Sequence, residues 1–243
     1  MHLCQINNVR PMKERRNIKN FIKKTPALRS ITRVVYYTFI APFKSFSGSE
    51  NYWKQRYKSG GTSGAGSYFK FAKFKAEVLN GFVRDKQIGT IIDYGCGDGN
   101  QLKLSKYPSY IGFDVSPESI SQCENIFSND ETKTFKLMDE YANETAELTL
   151  SLDVIYHLIE DDVFFNYMKR LFDSSTRFVI IYSSNTDKQA KLQAAHVKHR
   201  KFSKWIEQNK PEWKLIQHIP NRYPYTGNKQ KGSFADFYIY EKA

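Results

Sequence analysis

The sequence predicts an α/β fold: a seven-stranded, mostly parallel sheet with helices on both faces and an antiparallel strand at its C-terminal end. Three observations carry this. Short apolar runs alternate with helical patterns through the middle of the chain. A glycine loop follows the first of those runs. The last two strand-like runs are joined only by a Pro- and Gly-containing loop that holds no helix, which pairs them antiparallel. A length of 243 residues suits one substantial domain with a short appendage, and a hydrophobic content of 40% can build its core.

Charge sets residues 1–48 apart. They carry ten basic side chains, from Arg10 to Lys44, against the single acid Glu14, and so hold nine of the twelve net positive charges. The chain therefore divides into a basic tail or amphipathic appendage, 1–48, and a nearly neutral folded domain, 49–243. Within the tail, the mixed run from Ile31 to Ile40 followed by Phe43 and Phe46 suits contact with an anionic membrane surface. A helix docked on the domain and a solvated arm are the alternatives.

The domain opens with Asn51-Tyr-Trp-Lys-Gln-Arg-Tyr57 and the small-residue stretch Ser59 to Ser67. A helical pattern follows from Tyr68, with Phe71, Phe74, Val78 and Phe82 spaced three and four apart, so the stretch reads as a glycine-rich lid leading into a helix. Strands are then expected at Thr90–Tyr94, Tyr110–Asp114, Lys133–Met138, Leu148–Leu152 and Arg177–Tyr182, with helices at Glu118–Phe127 and Val163–Phe172 between them. A polar helical insertion is expected from Lys188 to Asn209, before the final strands Trp213–Ile219 and Phe234–Tyr240.

Composition narrows the setting. No apolar run approaches the ~18 residues a spanning helix needs. The cysteines Cys4, Cys96 and Cys123 are too scattered for a disulfide framework, and the start lacks the apolar core of a secretory signal, so a cytoplasmic location is expected, with membrane association through the tail as an option.

In an open α/β sheet, ligands bind beyond the carboxyl ends of the strands. There the first strand runs into Asp93-Tyr-Gly95-Cys-Gly97-Asp-Gly99-Asn-Gln, whose alternate glycines permit a sharp turn and close ligand approach. Asp114 ends the second strand 19 residues after Gly95, where a carboxylate can accept both hydroxyls of a ribose. Capping of the next helix is the plainer role for Asp114. A dinucleotide site wants its third glycine at position 100, and that residue is Asn100, which counts against a nicotinamide oxidoreductase.

Ile91 to Leu102 resembles motif I of class I S-adenosylmethionine-dependent methyltransferases, and Gly112-Phe-Asp-Val-Ser116 resembles the segment that follows it. The run Leu148 to Leu158 is similar to their fourth-strand motif. The resemblance spans from about Tyr52 to the C-terminus and implies a Rossmann-like fold with S-adenosylmethionine as cofactor. It further implies that Gly95, Gly97 and Gly99 contact the methionine and ribose portions, Asp93 the methionine end, Asp114 the ribose and Asp139 the adenine amine. Asp139 reads equally as part of a solvated turn.

The donor brings an activated methyl, so the protein needs to align an acceptor and, for a hydroxyl, remove its proton. His157, after the fourth strand, is the candidate base, with packing in a helical turn as the alternative. Asp153 is placed to contact the methionine amine or orient the acceptor, unless it caps a helix. Arg56 or Tyr68 of the lid is placed to reach the cofactor carboxylate. His196, His199 and Arg200 border the expected acceptor pocket, where Arg200 suits an anionic acceptor such as a phosphorylated sugar. Two histidines without a matching carboxylate or cysteine cluster do not make a metal site, and no metal is expected.

Base-methylating enzymes resemble one another in an Asn/Asp-Pro-Pro-aromatic motif, where this chain reads Leu152-Asp-Val-Ile. That, and the nearly neutral domain, weaken a nucleic-acid substrate. The Tyr-Trp, Ser-Gly-Ala-Gly-Ser-Tyr and glycine-loop segments look similar to bacterial methyltransferases of surface-polysaccharide modification. The expected partner is thus a small or glycan-linked acceptor. An RNA methyltransferase recruited by the basic tail, a nicotinamide oxidoreductase and a non-catalytic binding module are the competing readings.

Overall fold

The computed structural model describes residues 46–190, 193–228 and 230–243. The expectations placed on the basic tail lie outside the described residues as far as position 45. In chain order the main elements are α1 (Ser49–Lys58), α2 (Phe69–Asp85), β1 (Thr90–Tyr94), β2 (Ser109–Asp114), α3 (Pro117–Ile126), β3 (Lys133–Leu137), β4 (Ala146–Leu152), α4 (Asp161–Asp173), β5 (Ser175–Ser183), α5 (Phe202–Asn209), β6 (Trp213–Ile219) and β7 (Asp236–Lys242).

The strands form one sheet in the order β3-β2-β1-β4-β5-β7-β6. Neighbours from β3 through β5 pair in parallel, and β7 runs antiparallel to both β5 and β6. The central strands are buried on both faces, which is why they read as unbroken apolar runs. In β5, Phe178, Ile180 and Tyr182 enter the core shared with Phe74 and Leu79 of α2 and Ile120 of α3. Val179 and Ile181 enter the opposite core with Met168 and Leu171 of α4 and Phe202 and Ile206 of α5. Each such fully buried side chain contributes about 1.5–3 kcal/mol, so the two helical layers hold the sheet from both sides.

One expected element is shorter than its pattern suggested. Among the described residues of this stretch, helix covers Phe202–Asn209 and does not begin at Lys188. Before that helix, side chains take the backbone groups a helix would use: Gln189 donates to the carbonyl of His199 at 2.7 Å and accepts its N–H at 3.0 Å. No helix among the described residues is long and apolar enough to cross a membrane.

Candidate active site

Strand order reverses between β1 and β4: the chain leaves β1 toward β2 and β3, and leaves β4 toward β5. The crevice at that switch is where an open α/β sheet takes its ligand. Gly95, Gly97 and Gly99 turn the loop after β1 with φ of +85°, +63° and +71°, a left-handed conformation open to glycine. Close contact adds a second constraint. A Cβ on Gly95 would lie 2.5 Å from Cγ2 of Val154, and one on Gly97 would run into the hydroxyl of Ser63.

A cavity of about 300 Å³ lies at this end of the sheet. Asp93, Asp114, Val115 and Met138 line its β1–β3 side, and Asp153, Val154, His157 and Leu158 line the side beyond β4. Trp53 and Tyr57 of α1, with Ser63 and Ser67, cover it. This cover is fixed by the glycine loop itself. Asp98 accepts the N–H of Ser63 at 2.9 Å and the hydroxyl of Tyr68 at 2.7 Å, while its own N–H donates to the Ser63 hydroxyl at 3.0 Å. Burial works against the charge of Asp98, but these donors hold its pKa below the usual carboxylate range.

Asp93 is buried, and burial pushes its pKa up to about 7 against the opposing effects of the Tyr110 hydroxyl and the Lys75 ammonium. Tyr110 donates to its Oδ2 at 3.0 Å, whereas its Oδ1 is buried with no hydrogen-bond partner among the described residues. Asp114 accepts the N–H groups of Gly97 and Ser116, each at 3.0 Å. Burial raises its pKa as well, with those N–H groups working the other way. Ser116, not Asp114, is the residue that caps α3.

Asp153 stands at the end of β4 with φ +64°, a strained conformation for a residue with a side chain. Its N–H is tied to the carbonyl of Tyr182, and its carboxylate takes the Lys75 ammonium at 2.8 Å and the Tyr156 hydroxyl at 2.7 Å. His157 sits in a single tight turn, Ile155–His157, with Nδ1 2.7 Å from the carbonyl oxygen of His196. A carbonyl only accepts, so Nδ1 carries the proton and Nε2 the lone pair in the neutral ring.

The structure thus gathers Asp93, Gly95, Gly97, Asp114, Asp153 and His157 around one cavity and leaves the other expected site residues off its lining. Gly99 faces Cys123 and Phe127. Asp139 is exposed, and its neighbour Met138 lines the cavity instead. Arg56 donates to the Thr62 carbonyl at 2.6 Å and lies over Trp53, and Tyr68 is engaged by Asp98, so both shape the lid from within. His196 stacks on Tyr52 at 4.2 Å, and His199 meets the Ser184 hydroxyl at 2.6 Å. Arg200 pairs with Asp161 at 2.6 Å and donates to the carbonyls of Leu158 and Ile159. It braces the wall of the pocket and is not among the residues that line the cavity.

Lys75, Asp98 and Glu160 escaped the sequence reading. Lys75 had a legible signal, since it lies four residues after Phe71 on the apolar face of α2, where a charge needs a partner. The partners themselves lie 78 residues apart in sequence, beyond any local pattern.

Residues 85–232 match the model of a family described as a methyltransferase domain. The chain belongs to that methyltransferase family. Solved methyltransferases share its fold at low identity. N-methyltransferase NodS from Bradyrhizobium japonicum WM9, in complex with S-adenosyl-L-homocysteine, aligns with a TM-score of 0.62 at 11% identity, over 81% of this chain and 99% of that one. Magnesium protoporphyrin IX methyltransferase from Synechocystis PCC 6803, also with S-adenosyl-L-homocysteine bound, aligns with a TM-score of 0.55 at 13% identity, over 88% of this chain and all of that one. A small RNA methyltransferase aligns with a TM-score of 0.52 at 17% identity, over 72% of this chain and 26% of that one. No curated protein matches the sequence. Likeness at these identities fixes the architecture and leaves the acceptor to be argued from the site.

Proposed function

We propose that the chain transfers a methyl group from S-adenosylmethionine to a hydroxyl of an uncharged, small or glycan-linked acceptor such as a surface-polysaccharide sugar. The observation that carries this reading is His157, which lines the cavity with its Nδ1 proton committed to a backbone carbonyl and its Nε2 lone pair fixed by that tautomer. The methyl donor, when bound, supplies the electrophilic methyl on a sulfonium.

The residues present fit such a donor. The unpartnered, buried Oδ1 of Asp93 suits an ammonium, and Asp114 retains lone pairs for two ribose hydroxyls. Val115 and Met138 offer apolar surface to a base. On the acceptor side, His157 takes the hydroxyl proton as the new oxygen–carbon bond forms. Trp53, Tyr57 and Leu158 keep water from competing for the methyl group.

Charge favours a neutral acceptor. The lining has two permanent cations among the described residues, Lys75 and Arg170. Lys75 pairs with Asp153, and Arg170 lies 4.8 Å over the ring of Tyr141. With Arg200 engaged by Asp161, no cluster is assembled there for a phosphate. The basic segment 1–48 would hold the enzyme at the cytoplasmic membrane face, where glycans are assembled on lipid carriers.

The test is transfer of labelled methyl from S-adenosylmethionine into separated glycan-precursor and total RNA fractions. Label in glycan, reduced about a hundredfold or more in His157→Gln with S-adenosyl-L-homocysteine binding retained, is the expected result. Label in ribonuclease-sensitive material would overturn the acceptor assignment, and turnover unchanged in His157→Gln would overturn the base.

A further inference from the structure

Lys75 has no solvent-exposed surface, yet it lines the cavity. A buried ammonium persists only where its charge is matched and its donors are used. Asp153 accepts one hydrogen bond at 2.8 Å, and the ring of Tyr182 lies 5.2 Å from Nζ. Asp153 is the one hydrogen-bond acceptor the described residues give Lys75, although an ammonium carries three donors. Nearby, Asp93 shows the opposite deficit in its unpartnered Oδ1. The lining of one cavity therefore offers spare cationic donors and a spare anionic acceptor.

That pairing of deficits is complementary to an α-amino-carboxylate. We propose that Lys75 is the residue that grips the carboxylate of the methionine end, while Asp93 Oδ1 takes its ammonium and Asp153 holds Lys75 in position. This rests on the S-adenosylmethionine reading above and names the residue that reads the carboxylate in place of Arg56 and Tyr68. Arg170 is the other permanent cation on the lining among the described residues, and it is occupied with Tyr141 just beyond the Met138–Glu140 turn that follows β3. Lys75 shares the lining with Asp93, at the end of β1, and its charge is felt there.

The grip makes affinity depend on the carboxylate rather than on the adenosine. Calorimetric titration of the full chain compares S-adenosyl-L-homocysteine, decarboxylated S-adenosylmethionine, which keeps the ammonium, and 5′-methylthioadenosine, which lacks the whole amino-acid end. In the unmutated protein, S-adenosyl-L-homocysteine should bind about ten- to a hundredfold tighter than the decarboxylated ligand. Lys75→Met should erase that preference while leaving 5′-methylthioadenosine within about twofold, and Lys75→Arg should restore part of it.

Equal binding of the carboxylated and decarboxylated ligands by the unmutated protein overturns the proposal, and needs no variant to fold. So does a Lys75→Met protein that loses 5′-methylthioadenosine along with S-adenosyl-L-homocysteine, because that pattern marks a purely structural lysine. Failure of the unmutated protein to bind any of the three ligands would instead overturn the cofactor reading and this proposal with it.

Discussion

Ser49 presents its backbone N–H and its hydroxyl to the two carboxylate oxygens of Glu160, at 2.9 and 2.6 Å. The same hydroxyl accepts the N–H of Ile159 at 2.9 Å. The start of α1 is thereby pinned to the turn that begins α4, and α1 carries Trp53 and Tyr57 over the cavity. Burial opposes the charge of Glu160, but the hydroxyl and N–H of Ser49 hold its pKa below the usual carboxylate range. Removing the hydroxyl in Ser49→Ala also strips Ile159 of its acceptor. S-adenosyl-L-homocysteine should then dissociate about three- to tenfold faster with little change in association rate, read by stopped-flow tryptophan fluorescence. An unchanged dissociation rate would show that this latch does not govern the lid.

The same latch marks where sequence reading stops. Strands β1 and β2 and the glycine loop were legible because apolar runs, glycine spacing and Asp114 fall within 25 residues of one another. Asp93, Asp114, Asp153 and His157 could be placed at strand ends for the same reason. The pairs that close the site join distant segments, with Ser49 to Glu160 separated by 111 residues and Ser63 to Asp98 by 35. Nothing local distinguishes Glu160 from any other acid beside Asp161 and Asp162. The expected site residues that lie off the lining share a related feature: Arg56, Tyr68, His199 and Arg200 have chemistry suited to ligands, and in this fold they engage a backbone carbonyl, Asp98, Ser184 and Asp161.

Gly66 gives a prediction that depends on contact alone. A Cβ at this position would lie 2.6 Å from Oδ2 of Asp153, the oxygen that holds Lys75. Gly66→Ala must therefore displace either the lid or the Asp153 carboxylate. S-adenosyl-L-homocysteine affinity should fall about tenfold or more, while thermal stability drops by no more than the roughly 1–3 kcal/mol typical of overpacking. Gly60→Ala is the control on the same lid, since a Cβ there meets nothing within 4 Å, although its φ of +74° carries some strain. Equal losses of affinity in the two variants would point to backbone strain rather than to the Asp153 contact.

Asp93 links ligand binding to pH. Lys75 of α2, Tyr110 and Asp114 of β2, Tyr167 of α4, Cys96 and Tyr107 all act on it or feel its charge. An acid whose folded pKa is raised keeps its proton in the folded state after the unfolded chain has lost it. Its effect is to lower stability as pH rises from the ordinary 3.8 to about 7. Asp93→Asn should remove that decline, so the variant should melt above the unmutated protein at about pH 8 and gain less than half as much at about pH 5. An ammonium needs the ionised carboxylate, so S-adenosyl-L-homocysteine should bind the unmutated protein more tightly at about pH 8 than at about pH 6, and Asp93→Asn weakly at both. Parallel melting curves for the two proteins across this range would contradict a raised pKa at Asp93.

Arg200 separates a brace from a substrate contact. Its guanidinium joins Asp161 at the start of α4 to the carbonyls of Leu158 and Ile159, and its plane lies 4.6 Å over the ring of Phe164. Those carbonyls belong to the segment that follows His157, so the side chain fixes the turn that carries the proposed base without reaching the cavity. Truncation in Arg200→Ala strips the Leu158 carbonyl of its side-chain donor, while Lys198 still serves the Ile159 carbonyl at 3.3 Å and Asp161 at 2.7 Å. The cost should be about 1–3 kcal/mol of stability, as for other hydrogen bonds to charged groups. If Arg200 held a phosphorylated acceptor, the loss would appear in acceptor KM and would deepen with the charge of the acceptor. As a brace, its loss should appear in the melting temperature and in kcat, and acceptor KM should stay within about twofold, because a shifted His157 turn removes the base without removing any group that touches the acceptor. The Arg200→Lys variant keeps the charge but not the planar fork that serves Asp161 and two carbonyls together, so it should recover only part of the stability.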